Sequence, residues 1–231
     1  MILVLTATYN KGELTMDALD SVYRQTYENW ELVILENSND DITRSLVLDW
    51  HFHKATDSRI VTLIENYTKE RREESYVVAD FINEQWKEAL SRPEITHLFW
   101  ISDDDVIDTT TFEKMIDMDK DVVYCKEDIY EYANGIEKHI GSHLADRELG
   151  KGTALVPDCN IDGGSILFKK DCLLHLAFPY YPNSADPDIA HHCDGLFMNK
   201  LAEYFTFHPL DEGLLKHRIT KFSTWNKLNE K

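Results

Sequence analysis

The chain has 231 residues, 43% of them hydrophobic and 29% charged, which fits one large α/β core and excludes global disorder. Its formal net charge of −18, from 42 acidic and 24 basic side chains, repels polyanions and disfavours nucleic acid or an anionic membrane face as partner. No apolar run approaches the ~20 residues of a membrane span, and the apolar opening lacks the basic flank of a signal peptide.

Taken in order, Ile2 to Ala7 reads as a buried first strand, broken at Thr8-Tyr9-Asn10-Lys11-Gly12. Leu14, Ala18, Val22 and Tyr23 recur at helical spacing. A strand over Trp30 to Leu35 ends in the polar turn Glu36-Asn37-Ser38-Asn39-Asp40-Asp41. A helix over Thr43 to Trp50, a strand over Arg59 to Ile64 and an amphipathic helix over Val77 to Leu90 follow. Leu98 to Ile101 is a fourth buried strand running directly into Ser102-Asp103-Asp104-Asp105. Asp108 reads as the N-cap of a helix carrying Phe112, Met115 and Ile116, with a strand over Asp121 to Tyr124 behind it.

This alternation predicts a mostly parallel central sheet flanked by helices on both faces, with ligands at the carboxyl ends of its strands. The later chain is less regular. Residues 126–163 read as a long excursion or a β-ribbon, then a strand over Ser165 to Phe168, a helix over Asp194 to Tyr204 and a last strand over Phe205 to His208. No repeat or linker interrupts the chain, so residues 1–231 read as a single domain. Cys125, Cys159, Cys172 and Cys193 have no paired or metal-finger spacing, which points to reduced thiols and to the cytoplasm, the cell's own or that of a host. Trp50, Trp86 and Trp100 read as core residues, and Trp225 as able to stack on an acceptor.

Three consecutive aspartates at the end of a buried strand repel one another unless a cation joins them. Oxygen ligands of this kind suit Mn2+ or Mg2+. The competing reading is a solvated turn or a helix cap. Asp194, after His191-His192-Cys193, is either an N-cap or a general base, and the two adjacent histidines diverge too far to share one ion. Asp162, Gly163 and Gly164 precede a strand, where glycine permits either a close ligand or a tight turn.

The order Thr6-Ala7-Thr8-Tyr9-Asn10, Glu36-Asn37-Ser38-Asn39-Asp40 and Ser102-Asp103-Asp104-Asp105-Val106 resembles the family 2 glycosyltransferases, and within them the members that build bacterial spore-coat polysaccharide. Phe81-Ile82-Asn83-Glu84-Gln85, Asn160-Ile161-Asp162-Gly163-Gly164-Ser165 and Tyr204 to Glu212 extend the similarity along nearly the whole chain. The resemblance implies a Rossmann-like GT-A fold with a nucleotide-binding half over residues 1–106 and an acceptor-binding half over 107–231. It implies a UDP-sugar donor, a hydroxyl acceptor on a glycan or other molecule, and transfer with inversion.

Residue by residue, the resemblance implies that Thr8 and Tyr9 hold base and ribose, and that Glu36, where an aspartate is usual, accepts from uracil. It gives Asp103 to the ribose, Asp105 to the metal, and Asp104 to either. Asp162, Gly163 and Gly164 fall at the donor sugar; the arginine usual just before the helix falls at Tyr76 or Val77, so Arg71 or Arg72 either reaches the diphosphate in its place or is simply surface-exposed. Asp194 falls at the base. His217 is either a metal ligand or an exposed loop histidine. A sugar nucleotidyltransferase would carry a Gly-rich basic loop after the first strand, of which Thr8 to Gly12 is a poor version. A non-catalytic nucleotide- or carbohydrate-binding module would need neither the triplet nor Asp194.

Overall fold

The computed structural model describes residues 1–64, 76–158, 160–182 and 193–220. Four strands, β1 (Ile2–Thr8), β2 (Trp30–Glu36), β3 (Ile60–Ile64) and β4 (His97–Trp100), alternate with helices α1 (Glu13–Tyr23), α2 (Asp41–His53) and α3 (Tyr76–Ser91). The second part holds β5 (Val106–Ile107), α4 (Thr111–Asp117), β6 (Val122–Ala133), β7 (Ile136–His143), β8 (Leu149–Gly150), β9 (Ile166–Lys169), α5 (Cys193–Ala202) and β10 (Thr206–Ile219).

Among the described residues these strands form one sheet in the order β3-β2-β1-β4-β9-β6-β10-β5, with β7 beside β6 and β8 beside β10. The expected parallel pairing holds through β3, β2, β1 and β4. Beyond β4 the sheet is mixed, because β9 runs antiparallel to both β4 and β6 while β10 runs parallel to β6.

Side-chain alternation explains why both faces are covered. Leu3, Leu5, Val33 and Leu35 point to the layer of α3 and α5, where Phe81, Trp86, Phe197 and Leu201 are buried. Ile2, Val4, Leu32 and Ile34 point the other way, to Leu19, Val22, Val47, Trp50, Phe112 and Met115. Uninterrupted apolar strands such as Ile2 to Leu5 are what a sheet buried on both faces requires. Trp86 locks the first layer, with its ring 5.4 Å from Phe168 and 4.8 Å from Phe197. Trp50 and Trp86 are buried and Trp100 packs against the core, as the sequence indicated.

Two expectations change in detail, and one of two open readings is met. Asp108 does not cap α4: its carboxylate accepts from Thr110 N–H and Oγ1, and the helix starts after Thr110 without a side-chain cap. The excursion after residue 126 opens with a β-ribbon, the hairpin of β6 and β7, turning at Asn134 and Gly135 with φ of 54° and 77°. Two consecutive positive φ values define the tight turn that matches strand twist, and Asn-Gly adopts it readily. The last strand extends to Ile219 rather than stopping at His208, because its pairing with β6 runs from Phe207 to Ile219 through two register shifts. No helix among the described residues is long and apolar enough to cross a membrane.

Candidate active site

The carboxyl ends of β1, β2 and β4 converge, and their polar turns are hydrogen-bonded to one another. Asn10, in the left-handed region at φ 57°, accepts at Oδ1 from the N–H groups of Asn39 and Asp40 at 3.0 and 3.1 Å. Asparagine tolerates that backbone better than most residues. Asp40 in turn caps α2 through Thr43 N–H at 2.6 Å. Tyr9, partly exposed above this floor, donates its own N–H to Asp103 Oδ2 at 2.6 Å and meets Asn39 at its hydroxyl.

Glu36 is wholly buried. Its carboxylate accepts from Thr8 Oγ1, from Ser38 N–H at 2.8 Å and from Ser38 Oγ, and pairs with Arg44 Nε at 3.4 Å. Both oxygens are thus engaged by the protein. Arg44 was not visible as a site residue in the sequence; its position one turn into α2, eight residues after Glu36, is the only cue.

The triplet splits into different environments. Burial, reinforced by Asp104, pushes the Asp103 carboxyl up to about 7. Asp104 is raised by burial too, but it is paired with Lys11 Nζ, so its carboxylate turns toward the β1 turn. Burial works against the charge on Lys11, yet Asp104 and Asp103 raise its pKa overall. Asp105, fully buried, is held by consecutive residues of β10: Arg218 N–H meets Oδ1 at 3.0 Å and His217 Nδ1 meets Oδ2 at 3.2 Å.

His217 therefore lies on a strand, not in an exposed loop, and its side chain is largely buried. Burial opposes its charge, but Asp105 outweighs this and its pKa is pushed up to about 10. Its Nε2 is buried without a hydrogen-bond partner among the described residues. Asp162 approaches from the start of a short 3-10 turn over Gly163–Ser165. Burial first, then Glu127 and Asp105, raise the Asp162 carboxyl to about 8 despite His217. Asp105, Asp162 and His217 each offer a ligand atom, all within 4.8 Å of one another. Oxygen and imidazole donors with an unpartnered ring nitrogen fit a divalent cation such as Mn2+. Asp104 is not part of this triangle.

Gly163 and Gly164 pass between the two acidic groups. A Cβ on Gly164 would stand 3.1 Å from Asp162 Oδ1, and one on Gly163 would stand 3.2 Å from Asp194 Cβ. Asp194 is half-buried in the first turn of α5. Its Oδ1 accepts from Gly195 N–H at 2.8 Å, and Gly163 N–H donates to the same carboxylate. Burial raises its pKa against these two bonds. Because helix α5 already includes Cys193, Asp194 is a helical residue and does not stand in the N-cap position. Arg71, Arg72, Cys159, His191, His192 and Trp225 lie outside the described residues.

The model of the family described as Glycosyl transferase family 2 matches residues 3–171. Over 185 residues the chain is 26% identical to the Escherichia coli UDP-Glc:alpha-D-GlcNAc-diphosphoundecaprenol beta-1,3-glucosyltransferase WfaP, covering 78% of this chain and 65% of that protein. Over 222 residues it is 23% identical to Protein CgeD of Bacillus subtilis (strain 168), covering 91% of this chain and 48% of that one. A shorter similarity, 33% over 69 residues, covers 30% of this chain and 25% of the E. coli glucosyltransferase WfgD. The chain thus spans less than two thirds of the length of each of these relatives. Among solved structures, that of S. aureus TarS 1-349 in complex with UDP superposes with a TM-score of 0.61 at 15% identity, over 94% of this chain and 60% of that one. At that identity the likeness speaks for the fold.

Proposed function

The chain belongs to glycosyl transferase family 2, and on that premise we propose that it moves a sugar from a UDP-sugar to a hydroxyl of a glycan acceptor, with a divalent cation, Mn2+ or Mg2+. The observation that carries this reading is the convergence of Asp105, Asp162 and His217 on the same sheet edge as Thr8, Tyr9 and Asp103. Family membership also favours transfer over a nucleotidyltransferase or a pure binding module. A UDP donor is supported by the names of two relatives and by the nucleotide held in a structural neighbour. We place the reaction in the cytoplasm, in keeping with thiols rather than disulfides at Cys125, Cys172 and Cys193.

In this reading Tyr9 stacks on the base, Asp103 holds the ribose, and Glu36 shapes the base pocket through Thr8, Ser38 and Arg44. Asp105, Asp162 and His217 hold the cation, with Asp104 turned to Lys11. A cation held there would offset the charge that grows on the leaving diphosphate. Gly163 and Gly164 let the donor sugar approach the backbone, and Asp194 takes the proton from the acceptor hydroxyl as it attacks the anomeric carbon, inverting it. The base is near the sugar because the Gly163 N–H binds the Asp194 carboxylate.

Isothermal titration with UDP tests the reading. Binding strengthens with Mn2+ in the parent protein, and Asp105→Ala removes that gain. Equal affinity with and without the metal rejects the cation site.

A further inference from the structure

Glu127 is a carboxylate in the middle of β6 with 1% of its surface exposed. A buried strand position is a poor place for a charge unless partners compensate it. On one side its cross-strand neighbour on β7 is His143, whose Nδ1 lies 3.3 Å from Glu127 Oε2. On the other, the backbone N–H of Asp162 donates to Oε1 at 2.6 Å. A backbone N–H donated to a carboxylate oxygen at that distance is among the stronger hydrogen bonds a protein makes.

That bond ties the 3-10 turn of Asp162 to β6. Within the turn, Asp162 Oδ1 accepts from Gly164 N–H at 2.7 Å and the Asp162 carbonyl accepts from Ser165 Oγ at 2.7 Å. The direction in which Asp162 presents its carboxylate therefore depends on the turn's own bonds and on Glu127. β10 runs along the other edge of β6, with Leu215 paired to Glu127 two residues before His217. One strand position thus borders the two elements that bring Asp162 and His217 together.

We propose that Glu127 is a positioning residue for the cation site, orienting Asp162 through its backbone and adding negative charge behind the ligands, with His143 holding the Glu127 carboxylate in place. The proposal rests on the reading of Asp105, Asp162 and His217 as metal ligands. Nothing in the transfer chemistry requires contact between Glu127 and substrate, so its effect is felt in cation affinity before catalysis. Outer-shell partners of this kind change metal affinity by about 10–100-fold when removed.

Two variants separate orientation from charge. In Glu127→Gln the amide oxygen still accepts from Asp162 N–H, so the turn is retained and the charge is lost. Glu127→Ala loses both. Mn2+ affinity, read from the paramagnetic resonance of free Mn2+ in titrations without nucleotide, falls about tenfold in the first variant and toward a hundredfold in the second. UDP affinity in EDTA stays at the parent value in both, and the metal-free melting temperature of Glu127→Gln stays within a few degrees of the parent.

A purely structural role gives the opposite pattern: lower metal-free melting temperatures with unchanged Mn2+ affinity, which overturns the proposal. If Asp105→Asn loses Mn2+ while both Glu127 variants keep it, the positioning role alone fails. If the parent protein does not bind Mn2+, the metal reading fails and takes this role with it.

Discussion

His217 and Asp105 face each other across 112 residues of chain, with Nδ1 3.2 Å from Oδ2, because β10 pairs antiparallel with β5, Lys216 opposite Val106, which sets the next residue beside the last aspartate of the triplet. The next residue, Arg218, gives its N–H to the other oxygen of Asp105. An imidazole fixed by one nitrogen leaves the other at a defined point, and here that nitrogen is buried without a partner among the described residues. His217→Gln is therefore expected to lower the Mn2+-linked gain in UDP affinity by on the order of 10-fold or more, at least what loss of an outer-shell partner costs. Metal-free UDP affinity stays unchanged. Titrations in Mn2+ and in EDTA separate the two, and a retained gain removes His217 from the ligand set.

The same cluster dictates a pH dependence without metal. Asp103, Asp162 and His217 are held at about 7, 8 and 10, against ordinary values of 3.8, 3.8 and 6.5. Protonated His217 contributes stability that is full below pH 6.5 and disappears as pH rises through about 10. For the two aspartates the folded state binds the proton more tightly than the unfolded chain, so stability again falls as pH rises from about 4 toward 7 and 8. The signs agree: the folded state carries the extra protons, and stability declines with pH across this window. The melting temperature in EDTA is expected to fall steadily from pH 5.5 to 8.5, and saturating Mn2+ to flatten the slope by displacing those protons. A flat or rising profile in EDTA contradicts the assignment.

Glu36 separates a structural cost from a binding cost. Its oxygens satisfy Thr8, Ser38 and Arg44 at once. Glu36→Ala leaves Arg44 without its buried partner and Ser38 N–H without an acceptor, a loss of about 3 kcal/mol. Denaturant unfolding measures it. UDP affinity falls as well, because the Thr8 hydroxyl loses the carboxylate that fixes it beside Tyr9. A variant of parental stability would show that the network is not coupled as drawn.

How much of this the residues announced depends on how local each signal is. Strands β1, β2 and β4 were legible because Ile2 to Ala7, Trp30 to Leu35 and Leu98 to Ile101 are apolar runs bounded by polar turns, and the triplet's place at the sheet edge follows directly from them. The mixed half was less legible. β10 continues past His208 because Pro209, Leu210, Gly213 and the residues from Leu215 on pair with β6, with register shifts between Leu210 and Gly213 and between Gly213 and Leu215. That pairing is long-range and turns His217 from an apparent loop into a strand residue, while the pairing of β10 with β5 sets it beside Asp105. Glu127, Arg44 and His143 gave no signal for the same reason: each acquires meaning only from a partner remote in sequence or across a turn.

Asp194 provides the sharpest test of chemistry against architecture. As the second residue of α5 it cannot be the N-cap, and it accepts from Gly195 and Gly163 rather than from an N–H one turn on. Asparagine keeps one acceptor oxygen for these bonds and is tolerated in a first helical turn, so Asp194→Asn is expected to melt within a few degrees of the parent. It lacks a basic carboxylate. Burial raises the pKa of Asp194 above the ordinary aspartate value, which brings the group closer to the operating pH and makes it a better proton acceptor. Its loss should therefore lower transfer by on the order of 10²–10⁴-fold. UDP affinity is expected to survive, because Thr8, Tyr9, Glu36 and Asp103 sit at the ends of other strands. The measurement is transfer rate, UDP affinity and melting temperature for this one variant. Near-normal transfer in a folded, UDP-binding protein would exclude Asp194 as the base, and the proton would have to leave through another group.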